Sequence, residues 1–366
     1  MSSSIKLPTI ATVWRLKDMV AAISETASLS KSTAIFDISA EGLDSAISAI
    51  IRAGVDCDNV DFKISPTQLL DPTLEAHIGE IEPAGLWVEL VPVLLDKDIS
   101  QYLSRISELS SRGRCCPVVG AIDLIQEIIA NYPDIREIAL KGNESSGLTS
   151  PETIFSLYPL ITKLSSKPPH NPDLLIWGGI ATPEAAAAFL ASGAKGVILE
   201  SVHWLTDLVN ASETARAGLS KMRPEHTDLI GLNLDVPCRF FNRGNSRSVK
   251  KMRELSSSLC GAEASVDRRR TFAKQVDSES VHPLDSGFSA DELLPLGVEA
   301  TFAGSFVKRF GFSSSRAIEG FISETDRLCK LATQAQHAFK GNTLASEIGA
   351  KYPFVQGAMT WITDCP

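Results

Sequence analysis

Short apolar runs alternate with helically spaced apolar residues along the first two hundred positions of the chain. Eight stretches read as strands: residues 9–13, 34–39, 60–65, 86–92, 117–122, 137–142, 174–180 and 196–201. They are short and mostly unbroken, as expected of parallel strands covered on both faces. Residues 16–26, 42–52, 98–112, 124–131 and 151–164 carry apolar residues at helical spacing between them, and 66–78 does so less regularly. Repeated strand-then-helix units predict a parallel sheet. Eight units before residue 202 match a closed (β/α)8 TIM barrel, an α/β fold, better than an open doubly wound sheet.

The most informative unit opens with Leu174-Leu175-Ile176-Trp177-Gly178-Gly179-Ile180 and runs on to Ser201. Gly178 and Gly179 remove side chains where the strand turns, so the backbone can approach a neighbour or a ligand. Thr182 and Pro183 suit the N-cap and first helical position. Gly193 closes that helix, and the next buried strand ends at Glu200-Ser201. In a (β/α)8 barrel the turns after strands seven and eight commonly seat a phosphate. Taken alone, one Gly-Gly pair only permits a tight turn; its place in the strand count favours an anion site.

The remaining strand ends add ionisable groups, Asp37, Lys63, Glu89 and Lys141, at the end of a barrel where chemistry is carried. The lysines suit an anion or flavin; equally, Asp37–Lys63 and Glu89–Lys141 suit ion pairs that plug the mouth. Residues 141–150, KGNESSGLTS, form a second polar, glycine-bearing turn, with Ser150 as expected N-cap and Pro151 at the first helical position.

After Ser201 the pattern changes. Residues 203–217 read as the eighth helix, 229–242 as one long or two short strands outside the barrel, 245–273 as a basic helix, 275–292 as a linker, and 294–310 and 317–339 as helices. Residues 352–360 read as a new buried strand. The expected organisation is a barrel over 1–217, a strand-plus-helical extension and linker over 218–345, and the start of a second, truncated barrel over 346–366.

Composition narrows the function. A net charge of −9 argues against nucleic acid and anionic membranes as main partners. No apolar run reaches the roughly 18 residues that span a bilayer. Residues 1–6, MSSSIK, lack the apolar centre of a secretion signal. The seven scattered cysteines contain no CxxC pair, so neither a disulfide framework nor a metal site is expected, and the expected compartment is the cytoplasm. Cys115 and Cys116 read as small buried apolar residues.

The segment 176–201, IWGGIATPEAAAAFLASGAKGVILES, resembles the phosphate-binding segment of the nitronate monooxygenase (2-nitropropane dioxygenase) family of FMN-binding barrels. The matching positions are Gly178, Gly179, Ile180, Gly193, Ala194, Gly196, Val197 and Ser201. KGNESSG, Lys141 to Gly147, resembles the family's KG-x-EAGG turn. DVPCRFFNRG (235–244) and LLPLGVEATFAGSFVKRFG (293–311) resemble a subgroup at the N-terminus of type I polyketide or polyunsaturated-fatty-acid-type synthases, in which two such barrels occur in tandem; YPFVQGAMTWITD (352–364) resembles the opening of a second one. The resemblance implies FMN as cofactor, a small organic or acyl substrate, and other synthase domains as partners. Lys141, Gly142, Gly178, Gly179, Ile180, Glu200 and Ser201 are its expected cofactor-binding residues.

The family's monooxygenases place a catalytic histidine just after this polar turn, where the chain has Leu148. A hydrocarbon cannot take a proton from a nitroalkane carbon. Glu144 is the one titratable group in the loop, and neither His170 nor His203 is assigned a role. The family's QGxM motif, which lies beside the flavin, occurs only at Gln356–Met359, in the second-barrel segment, and the first strand has no equivalent. No catalytic residue is therefore named. Three readings stand open: a flavin-dependent oxidoreductase, a non-catalytic structural or interaction barrel that has lost the histidine, and a barrel that binds a phosphorylated small molecule.

Overall fold

Eight parallel strands close into one ring in the computed structural model, which describes residues 10–18, 32–54, 60–113, 115–165, 171–244, 246–260, 265–338, 346, 347 and 349. The strands β1 (Ile10–Arg15), β2 (Ser32–Asp37), β3 (Val60–Ile64), β4 (Gly85–Leu90), β5 (Cys115–Val119) and β6 (Glu137–Lys141) come in order. A two-residue strand, β7 (Gly147–Leu148), leaves the ring, and β8 (Asp173–Trp177) and β9 (Gly196–Leu199) complete it. Pairing of Ile10 with Val197 and of Thr12 with Leu199 closes the circle. All eight expected strands are present. Expected helix 16–26 begins as a 3-10 turn, Leu16–Asp18, and its later residues lie outside those described, as do His170 and residues 352–366.

Both faces of the ring are buried, which is why its strands read as unbroken apolar runs. Alternate residues Ala11, Val13, Ile35, Trp87, Cys116, Val118, Ala139, Leu175, Trp177 and Ile198 fill the interior. The intervening residues, among them Ile10, Phe36, Phe62, Val88 and Ile176, pack outward against the helices. Those helices are α1 (Leu43–Ala53), α2 (Pro66–Leu69), α3 (Leu74–Ile81), α4 (Ile99–Ser111), α5 (Ile122–Asn131), α6 (Ile154–Ser165) and α7 (Pro183–Ala191). Thr182 caps α7 by accepting the Ala185 N–H at 3.3 Å, with Pro183 at the first position, as the sequence predicts. Helix α6 starts later than expected. Ser150 instead accepts the Glu152 N–H at 3.0 Å, and the Glu144 carboxylate accepts the Ile154 N–H at 2.8 Å.

Beyond Ser201 several expectations are corrected. Residues 203–211 are turns, not the start of a helix; α8 spans only Glu213–Ser220. Val202, His203, Trp204, Leu205 and Thr206 are all buried there, an all-round burial that a helix with one solvent face does not give. Two antiparallel strands, β10 (Thr227–Ile230) and β11 (Cys238–Phe241), answer to the strand pair expected outside the barrel. β11 also pairs with β7, so the extension is stitched to a barrel loop. The basic stretch is two helices, α9 (Arg247–Leu259) and α10 (Val266–Glu279), and α10 runs into the expected linker. Residues 294–297 are not helical: Leu294 precedes Pro295, which disfavours helical backbone there, and its carbonyl accepts the Phe241 N–H at 2.9 Å. A 3-10 turn, Val298–Phe302, then leads into α11 (Ala303–Phe310) and α12 (Ser314–Ala338), which packs along α7.

Gly178 and Gly179 end β8 with φ of +89° and +76°, a region that side chains rarely adopt. A Cβ on Gly178 would lie 1.8 Å from Ser145 Oγ. Gly178→Ala is therefore expected to destabilise the protein by at least about 2 kcal/mol. Gly79→Ala, in α3 with nothing within 4 Å of the new methyl, is expected to stabilise by about 0.5–1 kcal/mol. Urea denaturation of the two variants checks the opposite signs.

Candidate ligand cavity at the barrel mouth

Strand pleating decides which side chains reach the C-terminal end of the ring interior. Asp37, Lys63, Glu89, Lys141 and Trp177 stand two residues after inward-facing Ile35, Asp61, Trp87, Ala139 and Leu175, and so point inward as well. Glu200, two beyond Ile198, joins them. Together they line a cavity of about 770 Å³, which Arg15, Ser146, Gly147, Leu148, His203 and His282 also border. That volume lies within the range of ordinary small-molecule sites.

Charge inside the mouth is paired in a string. Lys63 Nζ lies 3.0 Å from Asp37 and 2.9 Å from Glu89, and Lys141 bonds the other Glu89 oxygen. Burial works to raise the Glu89 pKa, but Lys141 and Lys63 outweigh it and hold the carboxyl at about 2. Burial likewise opposes the charge on Asp37, and Lys63 with Ser39 keeps it below its ordinary value. Two cations and two anions thus cancel. The ion pairing that the sequence offers for these groups is present.

Aromatic rings fill the space beneath. Trp87 and Trp177 lie 5.9 Å apart inside the ring, and Lys63 Nζ sits 5.8 Å from the Trp177 centroid, within cation–π range. Deeper in, the Trp87 indole donates to Asp61 at 2.8 Å. Burial raises Asp61 to about 6, and burial with the charge of Asp61 raises Glu137 to about 7. On the cavity wall His203 stacks on Trp14 at 4.6 Å; burial lowers it to about 4, so it is neutral at pH 7.

The corner between the β8 and β9 turns is closed by the chain itself. Loop 144–146 packs onto the Gly178-Gly179 backbone: Ser145 Oγ donates to the Trp177 carbonyl at 2.9 Å, and a Cβ on Gly179 would lie 3.0 Å from Glu144 Cβ. The amide and hydroxyl of Ser201 both donate to Glu299 Oε1, the hydroxyl at 3.1 Å. Glu200 accepts from the Ser146 hydroxyl at 2.8 Å, the Ser146 N–H at 3.3 Å and the Trp177 indole at 3.4 Å. Burial and the nearby charge of Glu200 raise Glu299 to about 8.

Of the residues expected to bind a cofactor, Lys141 and Glu200 border the cavity. Gly178, Gly179, Ile180 and Ser201 are not part of that lining. Gly142 lies apart, beneath α6, where a Cβ would meet the Ile154 nitrogen at 2.5 Å. Glu144 caps α6 and is not part of the lining. Two participants escape the sequence reading. Trp177 is legible from the inward parity of β8. Glu299, 98 residues beyond Ser201 in the chain, carries no local signal.

No protein-family model matches this sequence, and no curated protein does either. Solved structures do. FabK from Thermotoga maritima aligns at 18% identity over 91% of this chain and 96% of its own, with a TM-score of 0.66. The enoyl reductase domain of MlnA, from the macrolactin biosynthesis cluster of Bacillus amyloliquefaciens, aligns at 10% identity over 90% and 95%, with a TM-score of 0.65. Nitroalkane oxidase from Streptomyces ansochromogenes aligns at 14% over 91% and 95%, with a TM-score of 0.56. At these identities the likeness establishes the fold. No helix among the described residues is long and apolar enough to cross a membrane.

The titrations give a signed test. Groups raised in the fold, Asp61, Glu137 and Glu299, contribute stability in full below their ordinary values and lose it as pH rises through about 6 to 8. His203 and His282, both lowered to about 4, contribute in the opposite sense, but that change fades above about pH 6.5 and is outweighed there by the three carboxyl groups. The urea midpoint is therefore expected to fall between about pH 6.5 and 8.5, and Glu299→Gln should flatten that fall. A parallel decline in both proteins overturns the assignment to Glu299.

Proposed function

We propose that this chain is a flavin-type barrel that binds its ligand in the mouth cavity without nitroalkane turnover, acting beside the other domains of a polyketide or fatty-acid synthase. The observation that carries the reading is the position of the 770 Å³ cavity, directly over Trp177 and next to the two turns that resemble a flavin-phosphate segment. An enoyl reductase domain from a macrolactin biosynthesis cluster shares the fold over nearly its whole length, which supports the synthase setting.

The two ends of FMN fare differently against these residues. The mouth offers a planar ring Trp177, the paired Lys63 and Lys141, and room of the right order for an isoalloxazine. Of the expected phosphate residues, Gly178 and Gly179 face the chain's own loop and Ser201 bonds the Glu299 carboxyl group, so the corner does not fit a dianion with the side chains as they stand. A bound flavin supplies an electron-accepting ring; the protein supplies its place and surrounding charge. No step is derived through it.

Among the described residues, no proton carrier stands at the place of the family's base. Leu148 borders the cavity where the family's base stands, Glu144 is committed to α6, and both mouth lysines are ion-paired. These observations favour the non-catalytic reading over monooxygenase activity. The charge of Glu200 and the Glu299 carboxyl group seated on the Ser201 donors disfavour a phosphorylated small molecule.

Titration with riboflavin and FMN, monitored by quenching of flavin fluorescence, is expected to show saturable binding of at least one of them. Failure of both removes the flavin reading. Oxygen uptake with propionate 3-nitronate is expected to stay at the protein-free rate, and Leu148→His to raise it if a base is all that is missing. Sustained uptake by the unsubstituted protein overturns the non-catalytic reading.

A further inference from the structure

We propose that Glu299 is a built-in occupant of the barrel's anion corner, taking the Ser201 donors that an incoming phosphate would need and so selecting ligands whose tail carries no phosphate.

Glu299 is delivered by the 3-10 turn Val298–Phe302, and that turn is clamped in place. The Val298 N–H donates to the Glu144 carbonyl at 2.8 Å, and a Cβ on Gly297 would lie 2.8 Å from that same oxygen. The side chain is fully buried. One oxygen takes the Ser201 amide and hydroxyl; the other, Oε2, is buried without a hydrogen-bond partner. Among the described residues neither Glu299 nor Glu200 forms an ion pair with a lysine or arginine.

A buried carboxyl with no cation and a half-satisfied hydrogen-bonding capacity is costly to the fold. Packing alone is therefore a poor account of it; a glutamine of the same shape would meet Ser201 at less cost. Its chemistry does suit the seat. Raised to about 8 by burial, the carboxyl is largely protonated at neutral pH, and its Oε1 still accepts the same backbone and hydroxyl donors as a phosphate oxygen. With Glu200 beside it, the corner presents acceptors to an incoming anion, and the Glu200 charge repels a dianion where water is excluded. A ribityl chain ending in a hydroxyl meets no such repulsion.

The selectivity for flavin tails rests on the flavin reading above; the occupancy of the corner does not. The test therefore uses inorganic phosphate as well as the two flavins. In the unsubstituted protein phosphate is expected to leave the Tm unchanged, and riboflavin to bind about tenfold or more tightly than FMN. In Glu299→Ala, phosphate at high millimolar concentration is expected to raise the Tm by about 3 °C or more. FMN affinity should rise at least about tenfold, with riboflavin affinity little changed.

Phosphate stabilising both proteins equally, or neither, overturns the occupancy. A phosphate effect confined to Glu299→Ala with no flavin binding by either protein leaves the occupancy standing and removes the flavin reading. Glu299→Gln, compared with the unsubstituted protein at pH 9, above the Glu299 titration, keeps the shape and drops the charge, and guards against misfolding of the alanine variant. Its ratio of FMN to riboflavin affinity is expected to rise several-fold, and an unchanged ratio overturns the selectivity.

Discussion

Closure of β1 onto β9 is the constraint on which the rest of the molecule depends. Once Ile10 pairs with Val197 the sheet has no edge, and every second strand residue is committed to a single enclosed interior. Apolar residues fill that interior at mid-height. At its C-terminal end the same parity gathers Asp37, Lys63, Glu89, Lys141, Trp177 and Glu200 from different strands into one small volume. Charged groups so confined must neutralise one another, and the Asp37–Lys63–Glu89–Lys141 string does so. The cavity above is thus walled by charge already spent internally. Such a mouth can orient a ligand, but it offers no free cation from the string to hold an anionic one.

The strands are legible in the sequence because burial on both faces leaves a strong signal: short apolar runs bounded by turn residues. The cap of α7 is legible because Thr182 and Pro183 act within one turn of chain. Misreadings cluster where tertiary contacts decide. Residues 203–211 carry helical spacing, yet they are largely buried and held by Ser314, which bonds Thr206 and Asp207 from more than a hundred residues away. Residues 294–297 look apolar enough for a helix, but Leu294 bonds Phe241 and Pro295 bridges Phe240.

The glycine pair teaches a narrower lesson. From sequence, Gly178-Gly179 says that something approaches the backbone closely. It does not say what. In the structure the visitor is the chain's own loop, with Ser145 and Glu144 against the two α-carbons. A glycine turn lined for a phosphate and one lined for a neighbouring loop have the same local sequence, because the difference lies in what the rest of the chain brings to the spot. Glu299 arrives there from the far side of the extension, through a turn whose position depends on Glu144, so no window of sequence around Ser201 contains it.

The corner therefore separates two properties that usually travel together, the geometry of an anion site and the affinity for an anion. Backbone donors at Ser201 and a glycine-rich approach supply the first. The second depends on what competes for those donors. An external phosphate must displace a tethered carboxyl group whose effective concentration is set by a clamped turn rather than by diffusion, and it must do so beside Glu200. Displacement also leaves the Glu299 side chain to be rehoused, since it is fully buried. Each of these acts against the dianion and none acts against an uncharged ribityl end. A barrel can in this way keep its ring of strands while its own loop and one buried carboxyl group occupy the places and donors that a phosphate would need.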